Sequence, residues 1–447
     1  MNNTSLNLEV DLIYSPIINF AMQQNHVPVI RKLTIKNIVD NDLNNIHIQI
    51  IPEPEFAVEW SKKIDLLPKE ELVDMGAIDI KTITKYLAEL TERIAGSFTL
   101  IIKTENDILF QEVYPIDILS YEQWNGIGIL PEMLAAFITP NHPEIAKVII
   151  RASEILQKWT GKPSFDEYQS LNPDRVKKQM AAIYEAIAEL NLVYCTVPAS
   201  FEESGQRIRM CDTIFSQKMA NCLDISLLYA SCLEAVGIHP IIIVVKGHAF
   251  VGGWLVNESF PDSVNDDISL LTKRTADGIN DIVLIEGTCM NTGNSSAFDE
   301  ATKSANFKLM NADDFLLFID IRRARFSGIR PLPLRIQTLN GVEFVEPVSQ
   351  NRNSHIPEEI VPVAKIIDVS KIDVSKKQIW ERKLLDLTLR NNLLSLRITK
   401  NTVQLIFTQL PKLEDELAMG NEFQVLAKPT DWDNPLRNAG VCKYRQN

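Results

Sequence analysis

Over residues 1–125 apolar and polar positions alternate with a period of two. Leu6, Leu8, Val10 and Leu12 are separated by polar neighbours, and Ile46, Ile48 and Ile50 repeat the pattern. That period belongs to strands with one buried face. SFTLIIK (97–103) and DILFQEVY (107–114) flank the polar turn TEN, and VDNDLNN supplies a further turn. Short strands with polar connections predict an Ig-like β-sandwich over 1–125, with room for a short helix within 83–95.

From about Pro140 the period lengthens. In NPDRVKKQMAAIYEAIAELN, Val176, Met180, Ile183, Ile187 and Leu190 fall on one helical face. Asn172 is placed to cap that helix, with Pro173 at its first position. A second helix is expected over 143–159 and a third over 222–236, where Gly237 supplies the left-handed stop. HPIIIVV (239–245) and DIVLI (281–285) read as buried strands. Helices first and strands after predict an α+β domain over 135–330. Residues 331–375, rich in Pro, Asn and Ser and holding the duplication IDVSK-IDVSK, read as a linker. Ser375 and Gln378 have capping-box spacing ahead of WERKLLDLTLRNNLLSLR, so 376–447 is expected to be a short helical segment.

Composition narrows the function classes. A net charge of −13 argues against a general nucleic-acid-binding surface. The exception is a basic island of Lys376, Lys377, Arg382, Lys383, Arg390, Arg397 and Lys400 against two acidic residues. It is the candidate contact for nucleic acid or a partner. Six cysteines without a CxxC pair read as reduced thiols of a cytoplasmic protein. No signal-peptide pattern and no apolar run of about 18 residues is present, so no membrane association is expected. Tight metal-ligand spacing is missing as well, and neither a metal nor a cofactor is expected.

The chemistry is concentrated in KMANCLDISLLYASCLEAVGIHPIIIVVKGHAFVGGWL (218–255). With Asn221 as cap, Cys222 lies in a first helical turn, where unpaired N–H groups and the helix dipole favour a thiolate. His248 follows an apolar strand and has the chemistry to take and return the thiol proton. Glu286 ends DIVLIE and is the candidate orienter of the ring; Asp224 and Asp281 compete for that role. Gln206 and Gln217 are candidate oxyanion donors. Cys232 and Cys289 read as packing residues, and His239 as a strand-end packing or capping residue.

As a set, Cys222, Asp224, Leu233, Gly237, Ile238, Pro240 and Gly247-His248-Ala249-Phe250, followed by a strand ending in an acid, resemble the transglutaminase-like domains of the papain-like cysteine class. Here Glu286 stands where that family has Asp, and Ala220 where Gly is common. The resemblance implies an enzyme using a Cys-His-Glu triad for acyl transfer or hydrolysis of protease or amidase type. Its substrate would be a peptide, protein or carboxamide. The alternative is an inactive sensor or scaffold. A narrower resemblance, carried by WERKLLDLTLRNNLLSLR with the regions before it, is to the N-terminal part of large bacterial proteins related to superfamily I helicases. In these a domain of unknown function leads into an ATPase motor, and some are associated with anti-phage defence. It implies a helicase or ATPase module in cis or in trans. No G-x-x-x-x-G-K-[ST] occurs in the 447 residues, so a fragment, split gene or truncated relative is expected.

Overall fold

The alternating positions of the first hundred residues become two sheets. The computed structural model describes residues 2–4, 7–196, 205–276, 278–338 and 341–344, and the strands Gln404–Ile406, Phe423–Ala427 and Ala439–Tyr444. The first sheet runs in the order Asn2–Thr4, Leu8–Tyr14, Ile30–Asn37, Leu72–Asp74 and is antiparallel. The second has the order Ile17–Ile18, Ile108–Ile118, Ile94–Lys103, Leu43–Glu53, Trp60–Leu67. Its pairs are antiparallel except the first, which is parallel. Leu8, Val10, Leu12, Ile46, Ile48 and Ile50 are buried, while His47 and Gln49 are half-buried. Tyr14 of the first sheet meets Phe98 and Tyr114 of the second edge-on, with ring centroids 5.3 and 5.5 Å apart. The short helix within 83–95 is Thr84–Glu89.

The helical period of the next stretch yields Pro143–Thr160 and Pro173–Ala188. The Asn172 side chain accepts from the N–H groups of Asp174 and Arg175, as its position at the cap predicts. Cys222–Ala235 follows. A third sheet, antiparallel throughout, has the order Val264–Asn265, Phe315–Asp320, Pro240–Val245, His248–Trp254, Ile282–Ile285. Every residue of Pro240–Val245 and Ile282–Ile285 is buried. The chain is thus mixed α+β, with its sheet-rich part at the N-terminus. Met1–Ser349 forms one compact unit and Gln350–Asn447 a second.

Three expectations are corrected. His248 follows the apolar strand Pro240–Val245 as expected, but it is not a strand end: it opens a strand of its own, paired with Val245 across a turn at Lys246-Gly247. Gly247 has φ +67°, a backbone state that favours glycine and lets the chain reverse there. The start of the expected linker is ordered onto the first unit. Arg335–Thr338 and Gly341–Phe344 form a hairpin, and Leu332 N–H donates to Ala136 O. The Arg335 guanidinium lies 4.2 Å from the Tyr121 ring centre and pairs with Glu122 at 2.7 Å. Finally, the described residues of 376–447 are strands rather than helix. Phe423–Ala427 pairs antiparallel with Ala439–Tyr444, which pairs parallel with Gln404–Ile406. The expected helix over WERKLLDLTLRNNLLSLR lies outside the described residues. Among those described, no helix is long and apolar enough to cross a membrane.

Candidate active site

The helix carrying Cys222 begins with a reciprocal cap. The Asn221 side chain accepts from Asp224 N–H at 2.8 Å, and Asp224 Oδ2 accepts from Asn221 N–H at 3.0 Å. Asp224 also accepts from the Arg209 backbone N–H at 2.9 Å and from its guanidinium at 3.0 Å. This carboxylate has no solvent exposure, so its role is to fix the first turn. The N–H groups of Cys222 and Leu223 have no acceptor within the helix and point out of its end. Leu223, Ile225, Leu227 and Leu228 are buried and anchor the helix, each contributing about 1.5–3 kcal/mol.

The third sheet delivers the other two groups. Ile285 pairs with Val251, so Glu286 emerges beside Phe250, on the face that Phe250 shares with His248. His248 Nε2 donates to Glu286 Oε2 at 2.9 Å. Glu286 Oε1 accepts from the backbone N–H of Thr288 at 3.0 Å and from its hydroxyl at 2.7 Å. The longer carboxylate, 1% exposed, is therefore held at both oxygens. Gly287 keeps this turn against the helix Cys222–Ala235, since a Cβ there would lie 2.8 Å from Ile225 Cγ2.

The His248 ring acts on the Cys222 thiol as well as on Glu286. With Nε2 committed to the carboxylate, Nδ1 is the nitrogen left for sulfur. The sulfur also takes the Ala249 N–H and the Tyr194 hydroxyl. Burial pushes the thiol up, but the His248 hydrogen bond and charge, with these two donors, outweigh it and the net direction is down. Burial pulls His248 down, yet its bonds to Cys222 and Glu286 raise it to about 9. Burial pushes Glu286 up, and His248 and Thr288 bring it below its ordinary value. All three directions favour a thiolate–imidazolium pair backed by a carboxylate.

Tyr194 was not singled out from the sequence. It is held by the two-residue parallel pairing of Val193–Tyr194 with Met219–Ala220, which puts it opposite Ala220. Burial, then the charge of Cys222, pushes its phenol up to about 12, so it stays a donor at neutral pH. So short a pairing leaves no periodicity; a hydroxyl-bearing aromatic within NLVYCTV was the one available cue.

The remaining candidates lie as follows. Gln206 is buried in the strand Gln206–Arg207, opposite Gln123–Trp124, and its amide donates to Arg207 O at 3.1 Å. Gln217 is exposed at the end of the helix Cys211–Gln217. Asp281 sits at the far end of the Glu286 strand, paired with Arg274 at 2.6 Å. His239 Nδ1 lies 3.0 Å from Glu258 O and 2.9 Å from Arg322, and burial with that guanidinium pulls it down to about 4. Cys232 and Cys289 are buried, and burial pushes both thiols up. Lys376, Lys377, Arg382, Lys383, Arg390, Arg397 and Lys400 lie outside the described residues. Among the described residues no group of three or more His, Cys, Asp and Glu is arranged to hold a metal.

A family model described as "Protein of unknown function (DUF4011)" matches residues 383–446. No curated protein matches the chain. Among solved structures the chain is similar to one described as "crystal structure of a putative protease", from Parabacteroides distasonis ATCC 8503. Identity is 12%, over 55% of this chain and 60% of that one, with a TM-score of 0.17. The match spans less than two thirds of that chain.

Proposed function

We propose that Cys222, His248 and Glu286 act as nucleophile, acid–base and orienter in a transglutaminase-like acyl transfer or hydrolysis on a peptide or carboxamide. The observation that carries this reading is the His248–Glu286 bond of 2.9 Å, on a ring close enough to Cys222 for the two to shift each other's protonation. The thiolate forms a C–S bond to the carbonyl carbon, and the carbonyl electrons move to oxygen. The Cys222 N–H and the Tyr194 hydroxyl are the donors proposed for that oxyanion. Its collapse breaks the C–N bond, and the leaving amine takes the proton from His248. A thioester and a neutral imidazole remain. His248 then takes a proton from water, giving hydrolysis, or from an amine, giving cross-linking. The new acyl bond forms as the thiolate leaves.

Site-resolved alkylation of the full chain with dilute iodoacetamide at pH 7 tests this. Cys222 is expected to react ahead of the more accessible Cys195, and to lose that lead in His248→Ala. Equal labelling, or a lead that survives the substitution, overturns the triad and leaves a scaffold or sensor.

The rest of the reading is an extension of it. Residues 1–125 are taken as an Ig-like sandwich, 135–330 as the transglutaminase-like domain, and the setting as cytoplasmic. The C-terminal part serves a helicase-type ATPase in cis or in trans, with the basic island as its nucleic-acid contact. The full chain should then bind DNA with an affinity that falls steeply with salt; salt-independent binding or none removes that role.

A further inference from the structure

Lys308, in the last turn of the helix Phe298–Leu309, sets its ammonium 3.7 Å from Glu286 Oε2, the oxygen that also receives His248. The helix is tied to the same residue through its backbone, since Ala301 O accepts from Glu286 N–H at 3.1 Å. Resting on the triad reading above, we propose that Lys308 is a positioning residue that keeps a positive charge on the Glu286 carboxylate while His248 is neutral.

The argument follows the proton through the cycle. In the resting pair the imidazolium neutralises Glu286. Once the leaving amine has taken that proton, Glu286 would be a buried carboxylate with Thr288 and the His248 Nε2–H as its donors but no cation. A buried unpaired charge is costly, so the imidazole would tend to keep its proton and the first half-reaction would slow. The Lys308 ammonium is independent of the cycle and offsets that charge at both stages. Its field disfavours the imidazolium and favours the thiolate, so it lowers the proton affinity of both groups. The other groups facing His248 and Glu286 are Cys222, Tyr194, Thr288, Cys289 and Tyr184. The Lys246–Asp314 pair, 4.0 Å apart, flanks the hairpin turn before His248.

The test is the pH profile of Cys222 alkylation in the full chain, for the parent, Lys308→Met and Lys308→Arg. The parent is expected to show a lower limb where the thiolate forms and an upper limb where His248 loses its proton. In Lys308→Met both limbs should move to higher pH by about half a unit, and Lys308→Arg should return both. Purely structural support of the helix would change thermal stability without moving either limb. A two-limbed parent profile with unmoved limbs in Lys308→Met, a shift to lower pH, or movement of one limb alone overturns this role and leaves the triad standing. A parent profile without two limbs overturns both.

Discussion

Two five-stranded sheets in this chain, one antiparallel throughout and one with a single short parallel pair, are put to different use. In the N-terminal sheet, strand Leu43–Glu53 buries Ile46, Ile48 and Ile50 and leaves His47 and Gln49 half-buried. Polar groups can sit at every second position along such a strand. In the later sheet, Pro240–Val245 and Ile282–Ile285 are buried on both faces, so a polar side chain there has no water to turn to. The polar chemistry is pushed to the strand ends, where Glu286 and His248 meet desolvated but paired. Covering both faces concentrates reactive groups at one rim.

The largest effect tests that contrast directly. Val244→Lys puts a charge into a doubly covered strand and should cost more than about 3 kcal/mol. Gln49→Lys, where the native amide already reaches Glu59 at 2.9 Å, should stay within about 0.5 kcal/mol. Equal midpoints in urea unfolding would erase the distinction between the sheets. Next comes the rim: His248→Ala removes the groups that outweigh burial at Cys222, so the thiol pKa climbs. Alkylation at pH 7 should slow about 100-fold, read by mass spectrometry.

How far the sequence carried this picture depends on element length. Leu8, Val10 and Leu12, the run Val176 to Ile187, and the Asn172–Pro173 start were legible because period and capping act within one element. The Lys246-Gly247 turn was not, because apolar runs on both sides of it hid that His248 opens a second strand rather than closing the first. That error mattered little for the site. In the antiparallel pair the beginning of the His248 strand and the end of the Glu286 strand coincide, so the two residues still met. Tyr194 and the strands at 404–406, 423–427 and 439–444 were missed because pairings of two to six residues carry almost no periodic signal. The 331–344 stretch looked like connector because its order comes from Tyr121, Glu122 and Phe20, more than two hundred residues away.

Smaller perturbations sharpen the rim. Glu286→Gln keeps the shape and removes the charge, so the His248 pKa should fall from about 9 toward the ordinary value. Imidazole NMR titration checks the shift, and Cys222 alkylation at pH 7 should drop about tenfold. An unmoved imidazole would mean that the carboxylate does not act on the ring. Tyr194→Phe deletes one donor to sulfur and should slow alkylation about fivefold, the equivalent of a single hydrogen bond. No change would limit the sulfur's effective donors to His248 and Ala249.

The aim of the thiol is shared between two distant stretches of chain. The Asp224 carboxylate clasps both the opening of its own helix and Arg209, and the segment of Arg209 is in turn stitched through Gln206–Arg207 to Gln123–Trp124. A thermal excursion that frees Arg209 loosens the clasp and lets sulfur drift off the imidazole, while the sheets, which own their hydrophobic interior, stay closed. Replacing Arg209 would therefore strip the buried Asp224 carboxylate of its cation and slacken the turn that carries the thiol before it touched the sheets.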